Sequence, residues 1–384
     1  MTQTAIGVIT GNLSKSKDLK TAVGQFIENF EDEYNVKITS YRVEDNVVKP
    51  GDNTLSGVSR MEFQYKSKIR EEMISSGKVI LKIPSLASYS YKELKHSNMY
   101  KREVLFYKTI LPTLYQLGQC EPFAPKIYAV TRANALVLED LTVEGFEPGK
   151  RIYPLNWDQC VLSLEVLAKY HALGYKYLRT LKKSDQSWQL IGPYRSKRKS
   201  NPKEDFERFR KIMQRNLDQS LYEKIRQLQD KILAKPPAKK SPSMTVLIHG
   251  DFRTNNILLK CTGPQQGDAK MIDFQKSREA NPVLDLIHFF VTSVPIETVE
   301  SHLDEMLNFY LQTLNDKLAS LKTGRSYNQP ELNEDITYYK YYYLRVICIE
   351  WLDVMYGGPP GEGAEEYISG AKKWFNYLAG FGII

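Results

Sequence analysis

Two short apolar runs that enclose a polar loop constrain the fold of this chain more than any other sequence feature. Val246–Ile248 and residues 257–259 consist of valine, leucine and isoleucine, and the segment between them contains Asp251 and Asn256. Buried strands have this composition, and the small and polar residues between the two runs predict a loop. The sequence therefore predicts two short strands on either side of a loop that carries a carboxylate and an amide.

A turn-rich segment, residues 262–268, leads from this loop to a third predicted strand at residues 270–275, which contains Asp273. With this arrangement Asp251, Asn256 and Asp273 can converge at one edge. The Asp251 carboxylate can accept the proton of an attacking hydroxyl, while Asn256 and Asp273 offer the hard oxygen ligands that Mg²⁺ prefers. The pattern therefore indicates a phosphotransferase.

Each of these residues also has an ordinary interpretation, because an Asp or Asn in a loop usually forms a turn or caps a helix. A catalytic set is favoured by the order in which three elements occur. His-Gly-Asp at residues 249–251 is followed by Asn256, five residues after the Asp, and then by Ile-Asp-Phe at residues 272–274.

These residues resemble the ecdysteroid 22-kinase-like family of arthropods, within the choline kinase and aminoglycoside phosphotransferase branch of the protein-kinase-like fold. The catalytic loop of that family reads His-Gly-Asp, three variable residues and usually Asn-Asn, and its metal loop reads Asp-Phe-Gln. Residues 249–251, 255–256 and 273–275 match all of these positions. The resemblance extends from about Gly51 to near the C-terminus.

The resemblance implies an α+β, bilobal protein-kinase-like fold. Residues 1–141 would form a small, mainly β N-lobe that binds nucleotide, and residues 142–384 a larger, mainly helical C-lobe that carries the catalytic and acceptor sites. Apolar periodicity predicts helices at residues 91–109, 156–182, 203–233 and 296–322. At 384 residues the chain is long enough for two lobes with separate cores.

The resemblance also implies a lysine on a strand and a helical glutamate that holds it. Lys82 follows an apolar run that begins at residue 79, and Glu103 lies in a helix-like segment, residues 100–107. Taken alone, a lysine at a strand end is usually solvated and a helical glutamate is usually exposed. As members of the family's site, Lys82 would contact the ATP phosphates and Glu103 would hold it in place.

Two further segments would complete the ATP site. Residues 51–58 resemble the family's Gly-x-Asn-x-x-Ser turn, in which Asn53, Ser56 and backbone N–H groups approach the phosphates. An ordinary hairpin turn explains the same residues nearly as well. Glu139 and Leu141 belong to a segment that the family uses as a hinge whose backbone binds adenine, although a buried strand with a polar end is the alternative.

Three residues are predicted to be structural. His249 and Asp285 match family positions that support the catalytic loop, and Pro282 is a start signal for the helix that carries Asp285. His171 shares one helical face with apolar residues, so we expect it in the core.

The acceptor is predicted from the resemblance and from the aromatic C-terminal region. Residues 338–343 hold five tyrosines on a predicted helix, and Trp351, Tyr356 and Trp374 follow. A pocket with such a lining would suit a flat apolar molecule such as a steroid, and the resemblance implies ecdysteroids or hydroxylated xenobiotics. Arg253 stands where the family often has tryptophan, which puts the identity of the acceptor in doubt.

The predicted function is thus ATP- and Mg²⁺-dependent phosphorylation of a hydroxyl on a small, apolar molecule. The alternative is a catalytically weak or inactive kinase-like protein that binds a steroid-like ligand. A protein kinase is disfavoured because the His-Arg-Asp, Asp-Phe-Gly and Ala-Pro-Glu signatures are missing. The short segment between Asp273 and Pro282 also leaves little room for a peptide-docking loop.

Charge and composition bound the remaining possibilities. The net charge of +8 could indicate a nucleic-acid partner, but the basic runs at residues 195–199 and 235–240 lack interleaved aromatics and are expected to be solvated loops. The sequence contains no apolar stretch of about 18 residues, so no membrane-spanning helix is expected. The N-terminus lacks the features of a secretory signal, and four cysteines without a Cys-x-x-Cys pair suit a reducing compartment, so a cytoplasmic location is expected. The oligomeric state is not predicted.

Overall fold

The computed structural model describes residues 6–9, 17–44, 56–69, 74–84, 98–131, 135–150, 153–182, 202–234, 243–264, 266–351 and 364–384. The chain forms two compact units. The first comprises Met1–Leu111 and Ala124–Phe146, and the second comprises Pro112–Phe123 and Glu147–Ile384. The prediction of an α+β fold, mainly β in the N-terminal part and mainly helical in the C-terminal part, is confirmed.

These units do not coincide with the predicted lobes, residues 1–141 and 142–384. A 3₁₀ helix, Leu141–Glu144, stays with the first unit because Asp140 caps it and also pairs with Arg60 of that unit. Conversely, Phe123 packs against Tyr170 of the second unit, which joins Pro112–Phe123 to that unit.

The first unit contains a six-stranded sheet in the order β1-β2-β3-β4-β6-β5. Its strands are β1 (Ile6–Ile9), β2 (Val36–Glu44), β3 (Ser56–Ser67), β4 (Ile74–Pro84), β5 (Ile127–Val130) and β6 (Leu136–Glu139). Only the β1–β2 pair is parallel among the described strands of this sheet. Alternate residues such as Met61 and Phe63 on β3, and Val79 and Leu81 on β4, are buried, as expected for strands with one face on a core.

Two helical segments belong to the first unit. Lys17–Glu33 packs on the sheet through an apolar face, and its Phe26 ring meets Phe63 edge-on at 5.3 Å between centroids. Asn98–Leu105 carries Glu103 and continues as a π-helical turn, Phe106–Ile110. This segment corresponds to the predicted helix at residues 91–109, of which residues 91–97 lie outside the described part.

The second unit is mainly helical and holds two small sheets, in the orders β10-β9-β7 and β11-β8. The strands are β7 (Glu147–Pro148), β8 (Val246–Ile248), β9 (Ile257–Gly263), β10 (Gln266–Met271) and β11 (Arg278–Ala280). The helices are Leu111–Gly118, Trp157–Thr180, Pro202–Met213, Gln219–Gln227, Gln229–Leu233, Val283–Ser293, Ile296–Ser320, Gln329–Tyr338, Lys340–Arg345 and Ala364–Gly380, with a π-helical turn at Val346–Glu350. Throughout the described ranges, no helix has the length and apolarity required to cross a membrane.

Local capping explains where the helix predictions succeed and fail. Trp157–Thr180 begins with Asn156 as the N-cap in a reciprocal capping box with Gln159, close to the predicted start. The predicted single helix at residues 203–233 is wrong, because the Asp218 carboxylate accepts two backbone N–H bonds and starts a new helix. The tyrosine run is likewise divided at Tyr339, between two helices.

Gly174 is the point where the helix Trp157–Thr180 packs against β8. A Cβ at Gly174 would lie 2.7 Å from the Cβ and 2.8 Å from the backbone nitrogen of Leu247. We expect Gly174→Ala to lower the free energy of unfolding by about 1–3 kcal/mol, because the added methyl forces the strand away from the helix. Urea unfolding followed by circular dichroism measures this change.

Gly24 provides the matched control. It lies in the helix Lys17–Glu33, and an added Cβ there meets nothing within 4 Å. Gly24→Ala should therefore raise the free energy of unfolding by about 0.5–1 kcal/mol, the ordinary gain in helix propensity. Equal effects of the two substitutions would contradict the close packing at Gly174.

Candidate functional site

The loop after β8 is fixed by one buried carboxylate. Asp285, in the helix Val283–Ser293, accepts the backbone N–H of His249 at 2.7 Å and that of Gly250 at 2.8 Å. Gly250 has a φ of +80°, and a Cβ there would lie 2.6 Å from the Lys276 backbone oxygen, so the turn requires glycine. These contacts thereby fix the backbone at Asp251 and the direction of its side chain.

Asp285 is itself held by a buried network. A carboxylate can only accept, so His171 donates its Nε2–H to Asp285 over 3.1 Å, and its Nδ1 lies 2.7 Å from the Tyr310 hydroxyl. Burial alone would raise the pKa of Asp285, but the hydrogen bond and charge of His171 outweigh this effect and lower it. His171 is buried, as expected from its apolar helical face. Its contact with Asp285 was not anticipated.

Asp251 presents its two carboxylate oxygens to different surroundings. Oδ1 lies 2.9 Å from Lys276 Nζ, 3.6 Å from Arg253 Nε and 3.8 Å from His288 Nε2. All three of these contacts are to the same oxygen. Burial alone would raise the pKa of Asp251, but these three side chains outweigh it and hold that pKa well below the usual range of an aspartate.

Asn256 and Asp273 lie beside Asp251 in the second unit. Asn256 donates its Nδ2–H to the backbone oxygen of Asp251 at 2.8 Å, and the Ile272 N–H donates to the backbone oxygen of Asn256 at 3.0 Å. The predicted strand at residues 270–275 is wrong beyond Met271, because Asp273 is left-handed, with φ 68° and ψ 56°. A 3₁₀ turn, Phe274–Lys276, follows.

His249 links the two loops. Its Nε2–H donates to the Ile272 backbone oxygen at 2.9 Å, and its Nδ1 accepts the backbone N–H of Asp251 at 3.3 Å. Burial lowers the pKa of His249 and outweighs the nearby carboxylates. An uncharged ring can donate at one nitrogen and accept at the other, as this geometry requires.

Lys82 and Glu103 form a buried ion pair in the first unit. Lys82 Nζ lies 2.7 Å from Glu103 Oε1, and the two side chains are 8% and 1% exposed. The Tyr100 hydroxyl donates to the Lys82 backbone oxygen at 2.9 Å. Strand β4 and the helix Asn98–Leu105 thus present the pair that the sequence resemblance implied.

The other predicted nucleotide-binding residues are less completely described. Asn53 lies outside the described residues, and Ser56 is described only by its backbone, which begins β3 and pairs with Pro84. Glu139 ends β6 and accepts the backbone N–H of Lys126 at 3.0 Å, while Leu141 is buried. The hinge role of Glu139 and Leu141 stays a prediction.

One family model matches the part of the chain that contains these site residues. The model of the ecdysteroid kinase-like family matches residues 50–323, well over half of the chain. The chain belongs to the ecdysteroid kinase-like family. The predicted enzyme class, a small-molecule kinase, is confirmed at the level of this family. The matched range includes the loop with Asp251, the turn with Asp273 and the Lys82–Glu103 pair.

Solved structures give weaker likenesses to this ecdysteroid kinase-like protein. A Plasmodium vivax ethanolamine kinase is 11% identical, with a TM-score of 0.40, covering 89% of this chain and 83% of its own. A microcompartment-associated aminopropanol kinase is 14% identical (TM-score 0.44; coverage 93% and 98%). A choline/ethanolamine kinase family protein from Mesorhizobium loti is 14% identical (TM-score 0.37; coverage 83% and 84%). No curated protein gave a significant sequence match.

Asn256 and Asp273 carry oxygen donors, the ligand type that Mg²⁺ prefers. Within the described ranges, no group of three or more His, Cys, Asp or Glu side chains is arranged to hold a metal. The oxygen donors in this part of the second unit are the carboxylate of Asp273 and the amide of Asn256. Because Asn256 uses its Nδ2 on the loop backbone, its Oδ1 remains for a cation. Mg²⁺ keeps several waters and takes few protein ligands, so such a pair suits it.

Three residues beside Asp251 were not predicted. Lys276 and His288 approach its Oδ1, and Glu350 Oε2 lies 3.5 Å from His288 Nε2. A signal existed for His288, since it follows Asp285 by three residues and so lies on the same side of a helix. Glu350 comes from the π-helical turn Val346–Glu350, and no local pattern connects it to the catalytic loop.

The aromatic C-terminal region of the ecdysteroid kinase-like chain is largely packed inside. Tyr339, Tyr342, Tyr343 and Trp374 are buried, and the Tyr343 and Trp374 rings lie 5.9 Å apart. Tyr356 lies outside the described residues. These aromatics therefore stabilise the core, and the tyrosine run does not by itself indicate an open apolar pocket.

Proposed function

We propose that this member of the ecdysteroid kinase-like family transfers the γ-phosphoryl group of ATP, with Mg²⁺, to a hydroxyl of a small molecule. The observation that carries the proposal is the Asp251 carboxylate. The cationic side chains of Lys276, Arg253 and His288 all contact one of its oxygens, Oδ1, and we assign the other oxygen, Oδ2, to the acceptor hydroxyl. A catalytic base needs an oxygen that a hydroxyl can reach.

Asp251 acts as the base in this mechanism. Its Oδ2 accepts a hydrogen bond from the acceptor hydroxyl and orients the hydroxyl oxygen toward the γ-phosphorus. As the new O–P bond forms, the bond from that phosphorus to the bridging oxygen of ADP breaks, and the hydroxyl proton passes to Asp251. Asp285 keeps the carboxylate in place through the backbone of His249 and Gly250.

Asn256 Oδ1 and the Asp273 carboxylate would hold the metal ion. When bound, Mg²⁺ neutralises charge on the phosphate oxygens. Gln275 Nε2 donates to Asp273 Oδ2 at 2.9 Å, which orients that carboxylate. His249, through Ile272, keeps the Asp273 turn beside the Asp251 loop.

Lys82 is proposed to bind the ATP phosphates, with Glu103 as its positioning residue. We expect Lys82→Met to lower kcat/KM for ATP by about 10- to 100-fold, because a charge-assisted hydrogen bond to the phosphates is lost. The matched control is Lys78→Met on the same strand, where the lysine pairs at 2.6 Å with Glu62 and both side chains are exposed. Initial rates of ADP release at varied ATP measure both.

A stability measurement separates this role from a purely structural one. Lys82→Met leaves the buried Glu103 charge without its lysine, so it should destabilise the first unit by about 3–5 kcal/mol. The double variant Lys82→Met/Glu103→Gln removes both charges and should regain most of that stability without regaining activity. Recovery of kcat/KM in the double variant would contradict phosphate binding by Lys82.

The acceptor is proposed to be an ecdysteroid or a hydroxylated xenobiotic. Membership of the ecdysteroid kinase-like family supports this class. A panel of hydroxylated steroids and plant-type aglycones is tested for ADP release, and any product is examined by mass spectrometry for the gain of one phosphate. Nucleotide binding in the absence of turnover on any hydroxylated acceptor would instead favour an inactive kinase-like binding protein.

A further inference from the structure

Lys276 is the cationic side chain that contacts Asp251 at the shortest distance among the described residues, and the proposed mechanism gives it no role. Its ammonium lies 2.9 Å from Asp251 Oδ1, closer than Arg253 Nε at 3.6 Å or His288 Nε2 at 3.8 Å. Such a contact inside the site has a cost for catalysis, since a lysine bonded to a base stabilises the charged carboxylate and weakens its attraction for a proton. A lysine that only paired with Asp251 would therefore oppose the reaction.

The location of Lys276 suggests where its charge is used. It ends the 3₁₀ turn Phe274–Lys276, whose N-cap is Asp273, the proposed metal ligand. Its side chain thus extends from the turn that follows Asp273, the proposed metal ligand, to Asp251, the proposed base. Both positions flank the phosphoryl group during transfer, which carries charge on three oxygens and is stabilised mainly by nearby cations.

Lys276 can also be redirected at little cost. Its side chain is 25% exposed, in contrast with 6% for Asp251, and a lysine stem has four rotatable carbons. Arg253 can replace it on the carboxylate. Arg253 Nε is buried, has no hydrogen bond within the described part of the chain and lies 3.6 Å from the same oxygen. The base therefore keeps a cationic neighbour if Lys276 leaves.

We propose that Lys276 is a catalytic residue whose ammonium moves from Asp251 to bind the γ-phosphoryl group of ATP. When the ammonium leaves Oδ1 for the phosphoryl group, it neutralises charge on the oxygens of that group. Lys276 transfers no proton in this role and acts only as a cation. The inference rests on the proposed function, because it requires ATP as the phosphoryl donor.

Nucleotide affinity tests this role without any turnover. Isothermal titration calorimetry with Mg²⁺ compares ADP with a non-hydrolysable ATP analogue that carries a γ-phosphate. Lys276→Met should weaken binding of the analogue about tenfold, while ADP affinity stays within about twofold, since only the analogue presents the γ-phosphate. Lys276→Arg should keep most of the preference for the analogue.

A control variant and a thermal check accompany this comparison. Lys169→Met removes a lysine from an exposed pair with Glu165 in the same unit and should change neither affinity. Each variant is first shown to unfold at a temperature close to that of the parent. Equal losses for the analogue and ADP, or no loss for either, would overturn the role of Lys276.

A double-mutant cycle on analogue affinity distinguishes a lysine shared with the γ-phosphate from a purely structural ion pair. If Asp251 and the γ-phosphate compete for the same ammonium, Asp251→Asn releases Lys276 and should raise affinity for the analogue severalfold. In a Lys276→Met background the same substitution should give a clearly smaller gain. Equal gains in both backgrounds would show that Lys276 is not shared and would overturn the inference.

The two proposals fail in different ways. If the parent protein binds neither the analogue nor ADP in the presence of Mg²⁺, the proposed phosphotransferase function fails, and the role of Lys276 fails with it. If the parent binds both and Lys276→Met binds them as the parent does, only the inference about Lys276 fails.

Discussion

Asp251→Asn is expected to lower kcat by about 10²–10⁴-fold on any accepted acceptor, the usual contribution of a positioned base. The amide keeps the shape of the side chain but cannot take the hydroxyl proton. Because the loop backbone is held by Asp285 rather than by Asp251, the variant should fold and bind nucleotide. Steady-state ADP release and calorimetry on the same preparation measure the two properties.

Asp268→Asn is the matched control. Asp268 lies on the neighbouring strand β10, is exposed and pairs with Lys270 at 2.6 Å. Its substitution should leave kcat within about twofold, because its exposed carboxylate pairs with Lys270 rather than with a side chain that contacts Asp251. If Asp251→Asn retained a tenth or more of the parental kcat, another group would have to be the base.

Asp285→Ala should lower the free energy of unfolding by about 3–5 kcal/mol. It leaves the buried backbone N–H groups of His249 and Gly250 without their acceptor and removes the carboxylate partner of His171. Activity should fall as well, because the direction of Asp251 depends on this backbone. Denaturant unfolding measures the first effect. A cost of less than 1 kcal/mol would show that the loop does not depend on Asp285.

Asp218→Ala is the control for Asp285→Ala, because it removes the same kind of contact at an exposed position. Asp218 also accepts two backbone N–H groups, those of Ser220 and Leu221, but at a solvent-exposed helix start. Water can satisfy these groups after the substitution, so the loss should be only about 1 kcal/mol. The difference between the two variants isolates the effect of burial.

The lowered pKa of Asp285 determines how the free energy of unfolding changes with pH. A carboxylate whose pKa is lower in the folded state stabilises the protein above its unfolded pKa, and this stabilisation is lost as the pH falls through the folded pKa. The free energy of unfolding of the parent should therefore fall steeply below about pH 4. Asp285→Asn, which cannot titrate at this position, should show a shallower acid limb.

Local sequence patterns could predict the elements around the site because their causes are local. The apolar runs at Val246–Ile248 and residues 257–259 form strands, and the spacing of Asp251 and Asn256 places them in one loop. The helix Trp157–Thr180 was predictable from periodicity, with an Asn cap at its start.

Contacts between distant segments could not be predicted. Lys276 is an ordinary lysine in the sequence, and only the left-handed backbone of Asp273, with its following 3₁₀ turn, brings it to Asp251. Glu350 reaches the same cluster from a π-helical turn far along the chain. The tyrosine run was misleading for a related reason, because the burial of an aromatic depends on neighbours that local periodicity does not reveal.

The hydrogen bonds that fix the Asp251 loop join positions far apart in the chain, which affects the order of events in folding. His171 and Asp285 are 114 positions apart in the chain, and Asp285 and Gly250 are 35 apart. Contacts between such distant positions form late, since the entropy of closing long loops must be met first. During refolding from denaturant, helical circular dichroism should therefore recover before phosphotransfer activity does. A chain interrupted before the helix Val283–Ser293 would contain the Asp251 loop without the carboxylate that shapes it.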